Sequence, residues 1–340
     1  MFYTLFFAFL LFIARPSFSD TGGWAATYGG VSHDEAHSIQ QTREGGYIVA
    51  GVTRSFSAED YDIWVLKLSS GGAVEWQKTY GGDRFDWANS IQETGDGGYI
   101  LAGGTWSFGA GEADVWVLKL RLDGAVEWQK TYGGRCSDAA SSVQQSREGG
   151  YVLAGVRATS IGAGGEGIPD IWVLKLRLDG SVEWEKTYGG VNSDRADSIQ
   201  QTRDGGYIVA GLTDSFGAGD ADIWVLKLSP DGTLEWQKTY GGVRYDWARS
   251  IQQTSDGCYI VAGHTGSFDV GQNDVWVLKL SPNGSIDPPC KFMRDTSASG
   301  GSNDTTILDT TASARDSNAN PQDSSAIISA TNVTPHILCP

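Results

Sequence analysis

The sequence predicts an all-β fold, a five-bladed β-propeller of four-stranded antiparallel blades. Three observations support this prediction: a repeat of about 52 residues, four strand-like segments in each repeat, and glycine-containing turns between them. The tryptophan of a Trp-Val-Leu-Lys-Leu segment recurs in steps of 52, 52, 56 and 52 residues, at Trp64, Trp116, Trp172, Trp224 and Trp276. Such a period with strand-like content is typical of a propeller or a solenoid. An open β-solenoid is the alternative architecture.

The fourth repeat shows how one blade is organised. Its strand-like segments, A to D in chain order, are residues 198–202, 207–211, 223–228 and 234–240. Segment A is short and polar, B and C are apolar on both faces, and D alternates apolar and polar residues. Strands buried on both faces have continuous apolar runs, whereas half-exposed strands alternate. We therefore expect A at the central channel, B and C between neighbouring blades, and D at the rim.

The turns predict two hairpins in each blade. Three-residue hairpin loops end in a left-handed residue, usually glycine, because a Cβ is strained there. Gly205 and Gly232 hold these positions in the fourth repeat, and the fifth repeat keeps Gly257 but replaces the next glycine by Cys258. The second hairpin predicts exposed cross-strand pairs worth roughly 0.2–1 kcal/mol each. These pairs are Lys67–Glu75, Lys119–Glu127, Lys175–Glu183, Lys227–Glu235 and Lys279–Asp287.

The two ends of the array complement each other. The array opens with a lone D segment at 24–30 and closes with a truncated one at 285–287, which Pro288 and Pro289 stop. We expect the N-terminal strand to complete the last blade and close the ring, because closure hides sheet edges. The propeller domain then covers 20–290. Residues 291–340 are rich in Ser, Thr, Asn and Asp, and this composition predicts a disordered tail.

Charge and the N-terminus indicate an exported protein. Residues 1–19 carry an apolar run followed by small residues, which predicts a cleaved signal peptide and a secreted or cell-surface location. The chain has 41 acidic and 25 basic residues and a net charge of -16, which disfavours nucleic acid as a partner. We expect no membrane insertion, and we expect a monomer.

The motifs TYGG, SIQQTRDGGYIVAG, SFGAG and DIWVLKL resemble those of secreted bacterial and archaeal repeat proteins that are mostly uncharacterised. The resemblance covers about 24–287 and is distantly similar to quinoprotein-type propeller repeats. It implies a propeller fold and export. Some members are labelled lipoprotein or endoglucanase, but the resemblance implies no catalytic residue.

One end of the propeller is expected to carry acidic loops. The D-to-A and B-to-C connections lie at the same end, and each contributes one aspartate in every repeat. The D-to-A aspartates are Asp34, Asp86, Asp138, Asp194 and Asp246. These carboxylates are weak candidates for Ca²⁺, which takes several oxygen ligands. The favoured interpretation is structural, with each aspartate accepting backbone N–H bonds in its own turn.

Tryptophans outside the repeat positions point to a binding site. Trp87 and Trp247 follow the aspartates Asp86 and Asp246, and Trp106 begins a B-to-C loop. Further candidate residues beside them are Arg84, Arg244 and Tyr245. Aromatic faces beside polar groups suit a neutral sugar ring. The alternative is that these tryptophans only cap the mouth of the channel.

The sequence favours a binding protein over an enzyme. A glycosidase needs two carboxylates in unlike environments, whereas nearly every acidic loop residue here is a repeat residue; Glu166 is the exception. The four histidines and four cysteines show no triad or metal-ligand spacing, so no catalytic residue, metal or cofactor is assigned. We expect a non-catalytic binding or scaffold propeller whose ligand is an extracellular glycan or protein. The alternatives are a polysaccharide-acting hydrolase and a purely structural surface protein.

Overall fold

The computed structural model describes residues 23–57, 60–161, 167–268 and 272–286, and five short strands between 293 and 323. The signal segment 1–19, Glu166 and Pro288–Pro289 therefore lie outside the described residues. Every described element is a β-strand, and the strands of the repeats form five sheets in the order of the repeats; a sixth, two-stranded sheet joins Ala26–Thr27 to Gln322–Asp323. The all-β, five-bladed prediction is confirmed. None of the described residues forms a helix that could cross a membrane.

Each of blades 1 to 4 is an antiparallel sheet whose strands A to D follow one another in the chain, and blade 5 contains strands A to C only. Strand β1 (Ala26–Thr27) precedes the first blade. Blade 1 contains β2 (Asp34–Gln41), β3 (Tyr47–Thr53), β4 (Asp62–Leu68) and β5 (Val74–Gly81). Blade 2 contains β6 (Asp86–Glu93), β7 (Tyr99–Thr105), β8 (Asp114–Leu120) and β9 (Val126–Gly133). Blade 3 contains β10 (Asp138–Gln145), β11 (Tyr151–Ile161), β12 (Gly167–Leu176) and β13 (Val182–Gly189). Blade 4 contains β14 (Asp194–Gln201), β15 (Tyr207–Thr213), β16 (Asp222–Leu228) and β17 (Leu234–Tyr240). Blade 5 contains β18 (Asp246–Gln253), β19 (Tyr259–Thr265) and β20 (Asp274–Leu280).

The hairpin turns have the predicted geometry. Gly205 and Gly232 have φ of 87° and 77°, in the left-handed region where a Cβ is strained. Thr202 N–H donates to Gly206 O, as the first hairpin predicts. Gly257 has φ of 83°, so glycine remains where the backbone requires it and Cys258 occupies an ordinary position.

Four of the five C-strand lysines, Lys67, Lys119, Lys175 and Lys227, are buried, not exposed as predicted, whereas the Lys279 side chain is 60% exposed. Lys67, Lys119 and Lys227 pair with Glu75, Glu127 and Glu235 at 2.8, 3.3 and 3.0 Å. Lys175 pairs with Glu148 at 3.3 Å, and Lys279 with Asp256 at 2.7 Å. Three of the five predicted pairs form, and Lys175 pairs with Glu148 instead of the predicted Glu183. Because their ammonium groups are buried between blades, these pairs are not surface contacts. Asp287 lies outside the described residues.

The core consists of apolar layers between successive blades. Between blades 1 and 2, Ile63 and Val65 of β4 lie in one cluster with Leu101 of β7 and Trp116 of β8. Equivalent clusters join blades 2 and 3, 3 and 4, and 4 and 5. Strands B and C are therefore apolar on both faces because each face contacts a different blade.

A ladder of hydrogen bonds joins the A strands of neighbouring blades. Ser90 Oγ accepts from Val143 N–H at 3.2 Å, and Gln92 Oε1 accepts from Gln145 N–H at 2.6 Å. The same two bonds join blade 1 to 2, 3 to 4 and 4 to 5. The polar character of strand A is therefore explained by its hydrogen bonds to the next blade.

The D strands also bind the following blade. Trp76 Nε1–H donates to Leu122 O at 3.1 Å, and Tyr80 O–H donates to Gly124 O at 2.6 Å. Leu122 and Gly124 belong to the C-to-D turn of blade 2. Each blade therefore holds the next one at both its inner and its outer strand.

The predicted closure of the ring by the N-terminal strand is not found in the described pairing. Strand β1 pairs with β25 (Gln322–Asp323), and the fifth sheet contains β18, β19 and β20 only. Trp24 and Tyr28, which flank β1, donate to Ser70 O and Gly72 O of blade 1, as a preceding D strand would. The N-terminal segment thus takes the D position relative to blade 1, but blade 5 does not lie beside it.

The tail, predicted to be disordered, contains five short strands. They pair antiparallel with the outer edges of β17, β13, β9, β5 and β1, in that order. The strands are β21 (Met293–Asp295), β22 (Ser299–Gly301), β23 (Thr306–Asp309), β24 (Ser313–Asp316) and β25. The backbone of an edge strand offers unpaired N–H and C=O groups whatever the tail composition, which explains this difference. The rest of 291–340 lies outside the described residues.

The ladder of hydrogen bonds between the A strands should contribute measurably to stability. We expect Gln92→Ala to lower the free energy of unfolding by about 1–3 kcal/mol, because Gln145 N–H loses its partner in a half-buried position. Gln252→Ala is the matched control: Gln252 is exposed at the same position of blade 5 and should change stability by less than about 0.5 kcal/mol. Urea unfolding at low protein concentration measures both, and equal losses would contradict the role of the ladder.

Candidate functional site

The repeat aspartates bind their own loops. Asp86 is fully buried; its carboxylate accepts from Gly82 N–H at 2.8 Å and from Ser107 O–H at 2.7 Å. Asp246 does the same with Gly242 N–H at 2.9 Å and Ser267 O–H at 2.6 Å. Asp34 and Asp194 accept equivalent bonds in blades 1 and 4. Each carboxylate therefore ties the D-to-A loop to the B-to-C loop of its blade, as the structural interpretation predicts.

Burial sets the acidity of these aspartates. Burial raises the pKa of Asp86 and Asp194 despite their hydrogen bonds to Ser and Thr. At Asp34 burial also acts to raise the pKa, but the site is more open, and bonds from Ser55 and Thr53 hold the pKa below its usual value. Asp138 differs most, because burial raises its pKa to about 7. Gly134 N–H and Arg157 oppose this shift, and Asp114 adds to it.

Blade 3 carries two coupled departures from the repeat. Arg157 stands where the other blades have threonine, and Glu185 stands where three of them have glutamine. The Arg157 guanidinium lies 3.3 Å from Glu185 Oε2 and 4.8 Å from the centroid of the Trp172 ring. Trp172 Nε1–H donates to the same carboxylate at 3.0 Å. Because both charges are nearly buried, each one compensates for the other.

The loop end of blade 2 carries a cluster of aromatic rings. Phe85 and Trp87 stack with their centroids 5.2 Å apart, and Tyr61 of blade 1 contacts Phe85 edge to face at 5.3 Å. Trp106 N–H donates to Phe85 O at 3.0 Å, which brings Trp106 to the same loops. The Arg84 guanidinium lies 5.1 Å from the Trp106 ring, which is 42% exposed. We call Tyr61, Phe85, Trp87 and Trp106 the blade-2 aromatic cluster.

Space for Trp87 comes from a glycine on the paired strand. Gly104 lies opposite Trp87 in the ladder between β6 and β7. A Cβ at Gly104 would meet Trp87 Cζ2 at 2.2 Å, so no larger residue fits without moving the ring. Blades 1, 3 and 4 have Val52, Val156 and Leu212 at this position, and none of them has a tryptophan opposite.

The corresponding end of blade 5 is occupied differently. Trp247 Nε1–H donates to Asp197 at 2.5 Å, and the Arg249 guanidinium lies 3.4 Å from the centroid of the indole ring. Tyr245 is 38% exposed and contacts both Trp247 and His264. Arg244 is exposed, and its N–H donates to Ser267 Oγ. Trp247 is therefore covered by groups of the protein, which favours the capping alternative at this blade.

Sequence reasoning named Trp87, Trp106 and Arg84, which the structure brings together, and missed several of their neighbours. Tyr61 and Phe85 at blade 2, and Asp197, Arg249 and His264 at blade 5, were not identified. The available signal was that these positions differ between repeats. Two further cavities, of about 400 and 470 Å³, lie at the opposite end beside the C-to-D turns, including Leu122 and Leu178 respectively. Among the described residues no group of three or more His, Cys, Asp or Glu could hold a metal ion.

Comparison with known proteins assigns the chain to no family. No family model matches the chain, and no curated protein matches it. A protein of unknown function from Bacteroides caccae is similar in structure, with a TM-score of 0.43, 11% identity, and coverage of 74% of this chain and 80% of that one. A GH43_12 protein from a capybara gut metagenome gives 0.38 and 13%, covering 80% of this chain and 59% of that one. Sqt1 from Chaetomium thermophilum gives 0.34 and 10%, covering 78% and 87%.

Asp138 should make stability depend on pH. Its pKa of about 7 in the folded protein exceeds its ordinary value of 3.8, so the folded state binds more protons than the unfolded state between these pH values. This group's contribution to stability is therefore present at low pH and is lost as pH rises towards 7. Asp138→Asn keeps an oxygen acceptor for Gly134 N–H. Its free energy of unfolding, relative to that of the unmodified protein, should be higher at pH 8 than at pH 4.5 by about 1–3 kcal/mol. Urea unfolding at both pH values measures the difference, with exposed Asp83→Asn as control; parallel shifts in the two variants would refute the assignment.

Calcium should have no effect on stability if the repeat aspartates serve only their loops. We expect the same melting temperature in EDTA and in excess Ca²⁺, because the carboxylates already accept bonds from their own blades. A rise in Tm with Ca²⁺ that Asp246→Asn removes would instead establish a cation site.

Proposed function

We propose that this chain is an exported, non-catalytic binding protein, and that the blade-2 aromatic cluster takes a neutral sugar ring of an extracellular glycan. The observation that carries the proposal is the cluster itself. Trp106 is 42% exposed, and its backbone N–H binds Phe85, which contacts Tyr61 and Trp87. The Arg84 guanidinium lies over the Trp106 ring at 5.1 Å and is a hydrogen-bond donor beside it. Stacking of a sugar on indole with a few polar contacts is a common form of recognition at such sites.

Two further observations support binding rather than catalysis. The repeat carboxylates beside the cluster are buried and accept bonds from their own loops, so they do not face a polymer at the surface. The net charge of -16 favours an uncharged ligand over a polyanion. Export rests on the segment 1–19 and is part of the proposal.

The test is binding to a panel of neutral polysaccharides by affinity electrophoresis, with release of reducing ends assayed in the same samples. We expect retention on at least one polymer without release of sugar. Trp106→Ala should weaken binding roughly tenfold, because loss of a stacking ring costs about 1.4 kcal/mol. Leu178→Ala is the matched control, since Leu178 is an exposed apolar residue at the opposite end. Retention that survives in Trp106→Ala, or loss in both variants, would refute the site, and release of sugar would favour the hydrolase alternative.

A second variant moves an aromatic ring without removing it. Gly104→Val should displace Trp87 from its place beside Phe85 and weaken glycan binding several-fold, because the valine Cγ atoms would occupy the position of the indole. The intrinsic fluorescence of the folded variant should change together with affinity. Unaltered affinity with an altered spectrum would show that Trp87 only caps the channel.

A further inference from the structure

Blade 5 exposes a sheet face that is buried in every other blade. Val275 and Val277 of β20 are 84% and 56% exposed, whereas Val115 and Val117, at the same positions of β8, are fully buried. The Lys279 side chain is 60% exposed, whereas that of Lys119 is 2% exposed. In blades 1 to 4 this face contacts the following blade, so blade 5 presents half of a junction whose partner is absent from its position.

Blade 1 presents the other half. Ile39 of β2 is 65% exposed, whereas Ile91 and Ile251 at the same position are 4% and 1% exposed. The ladder of hydrogen bonds between the A strands also ends at blades 1 and 5. Within the described residues, Ser250 and Gln252 of blade 5 accept no bond from a following blade, and Ile39 N–H and Gln41 N–H of blade 1 donate to no preceding one.

The N-terminal segment completes the half-junction at blade 1. Trp24 Nε1–H donates to Ser70 O at 3.0 Å and Tyr28 O–H to Gly72 O at 2.6 Å, which matches the contacts of Trp76 and Tyr80 with blade 2. Blade 1 therefore already contacts a D strand of a preceding blade and lacks only strands A, B and C of that blade. Blade 5 consists of these three strands.

The edges of β1 fit the same arrangement. In blade 1, Thr79 of β5 pairs with Trp64 on one edge and with Arg315 of the tail on the other. Thr27 of β1 pairs with Gln322 of the tail, which corresponds to the outer edge. The inner edge of β1 therefore has the geometry to receive β20, with Thr27 opposite Trp276 and Tyr28 opposite Val275.

We propose that these two faces bind each other between two copies of this chain, so that blade 5 of one copy docks on blade 1 and β1 of the next. The four internal junctions use the same contacts at each step, yet they do not bring blade 5 beside blade 1 of the same chain. Closure within one chain would change the angle at those junctions, whereas a second copy binds without such a change. The contact is heterologous, so it builds a closed ring or an open chain of copies.

Burial of Lys279 in this interface is tolerated because Asp256 already pairs with it at 2.7 Å. This proposal differs from the monomer that the sequence analysis expected.

The test is the oligomeric state of the unmodified protein, two variants and a mixture of the variants, measured by sedimentation velocity over a hundredfold range of concentration. The unmodified protein should form dimers or longer species that dissociate on dilution. Ile39→Glu and Val277→Glu, each at an exposed position, should remain folded by circular dichroism and should be monomeric alone. An equimolar mixture of the two should form a species of two copies and no larger one, because each partner keeps one intact face.

One further variant is the control, and two results would contradict the proposal. Leu178→Glu, an exposed apolar position away from both faces, should assemble like the unmodified protein. A monomer at every concentration, with Ile39→Glu and Val277→Glu each lowering the melting temperature, would show that the ring closes within one chain. A mixture that stays monomeric while the unmodified protein assembles would place the interface elsewhere.

Discussion

The junction between successive blades is the interaction on which the rest of this structure depends. A single blade has two apolar faces, and a sheet of three or four strands cannot bury both of them by itself. Each junction supplies an apolar layer at its middle, the Ser and Gln ladder at the inner strand, and the Trp and Tyr bonds at the outer strand. The polar bonds fix the register of one blade on the next, because they join a side chain to one particular backbone group.

Much of the fold follows from the sequence because its determinants are local. The turn glycines, the order of strands and the pairing of Lys67 with Glu75 depend on residues within one hairpin. What the sequence did not reveal depends on neighbouring blades. The burial of Lys67, the ladder role of Gln92 and the position of β1 all require a relation between repeats, and a repeat pattern states its period but not the angle between its units.

The candidate site shows the same division. The aspartates were understood from their periodicity, because a residue that every blade repeats serves what every blade has in common. The aromatic cluster was found in part, since Trp87 and Trp106 are conspicuous by composition. Tyr61 and Phe85 were missed because their importance lies in contacts between two blades, and Gly104 was missed because its contribution is the absence of a side chain opposite Trp87.

Departures from the repeat are informative only when their compensation is considered as well. Arg157 alone would bring an unpaired charge into a junction, and Glu185 alone would do the same with the opposite sign; together they form one paired unit beside Trp172. Trp87 and Gly104 are another such pair, but here the compensation is steric, because Gly104 leaves space for the indole ring. In blade 3 the pair restores a buried junction, so it requires no ligand to explain it. In blade 2 the accommodated Trp87 ring belongs to a partly exposed aromatic cluster, in which Trp106 is 42% exposed. That difference is the physical reason for proposing a binding site at blade 2.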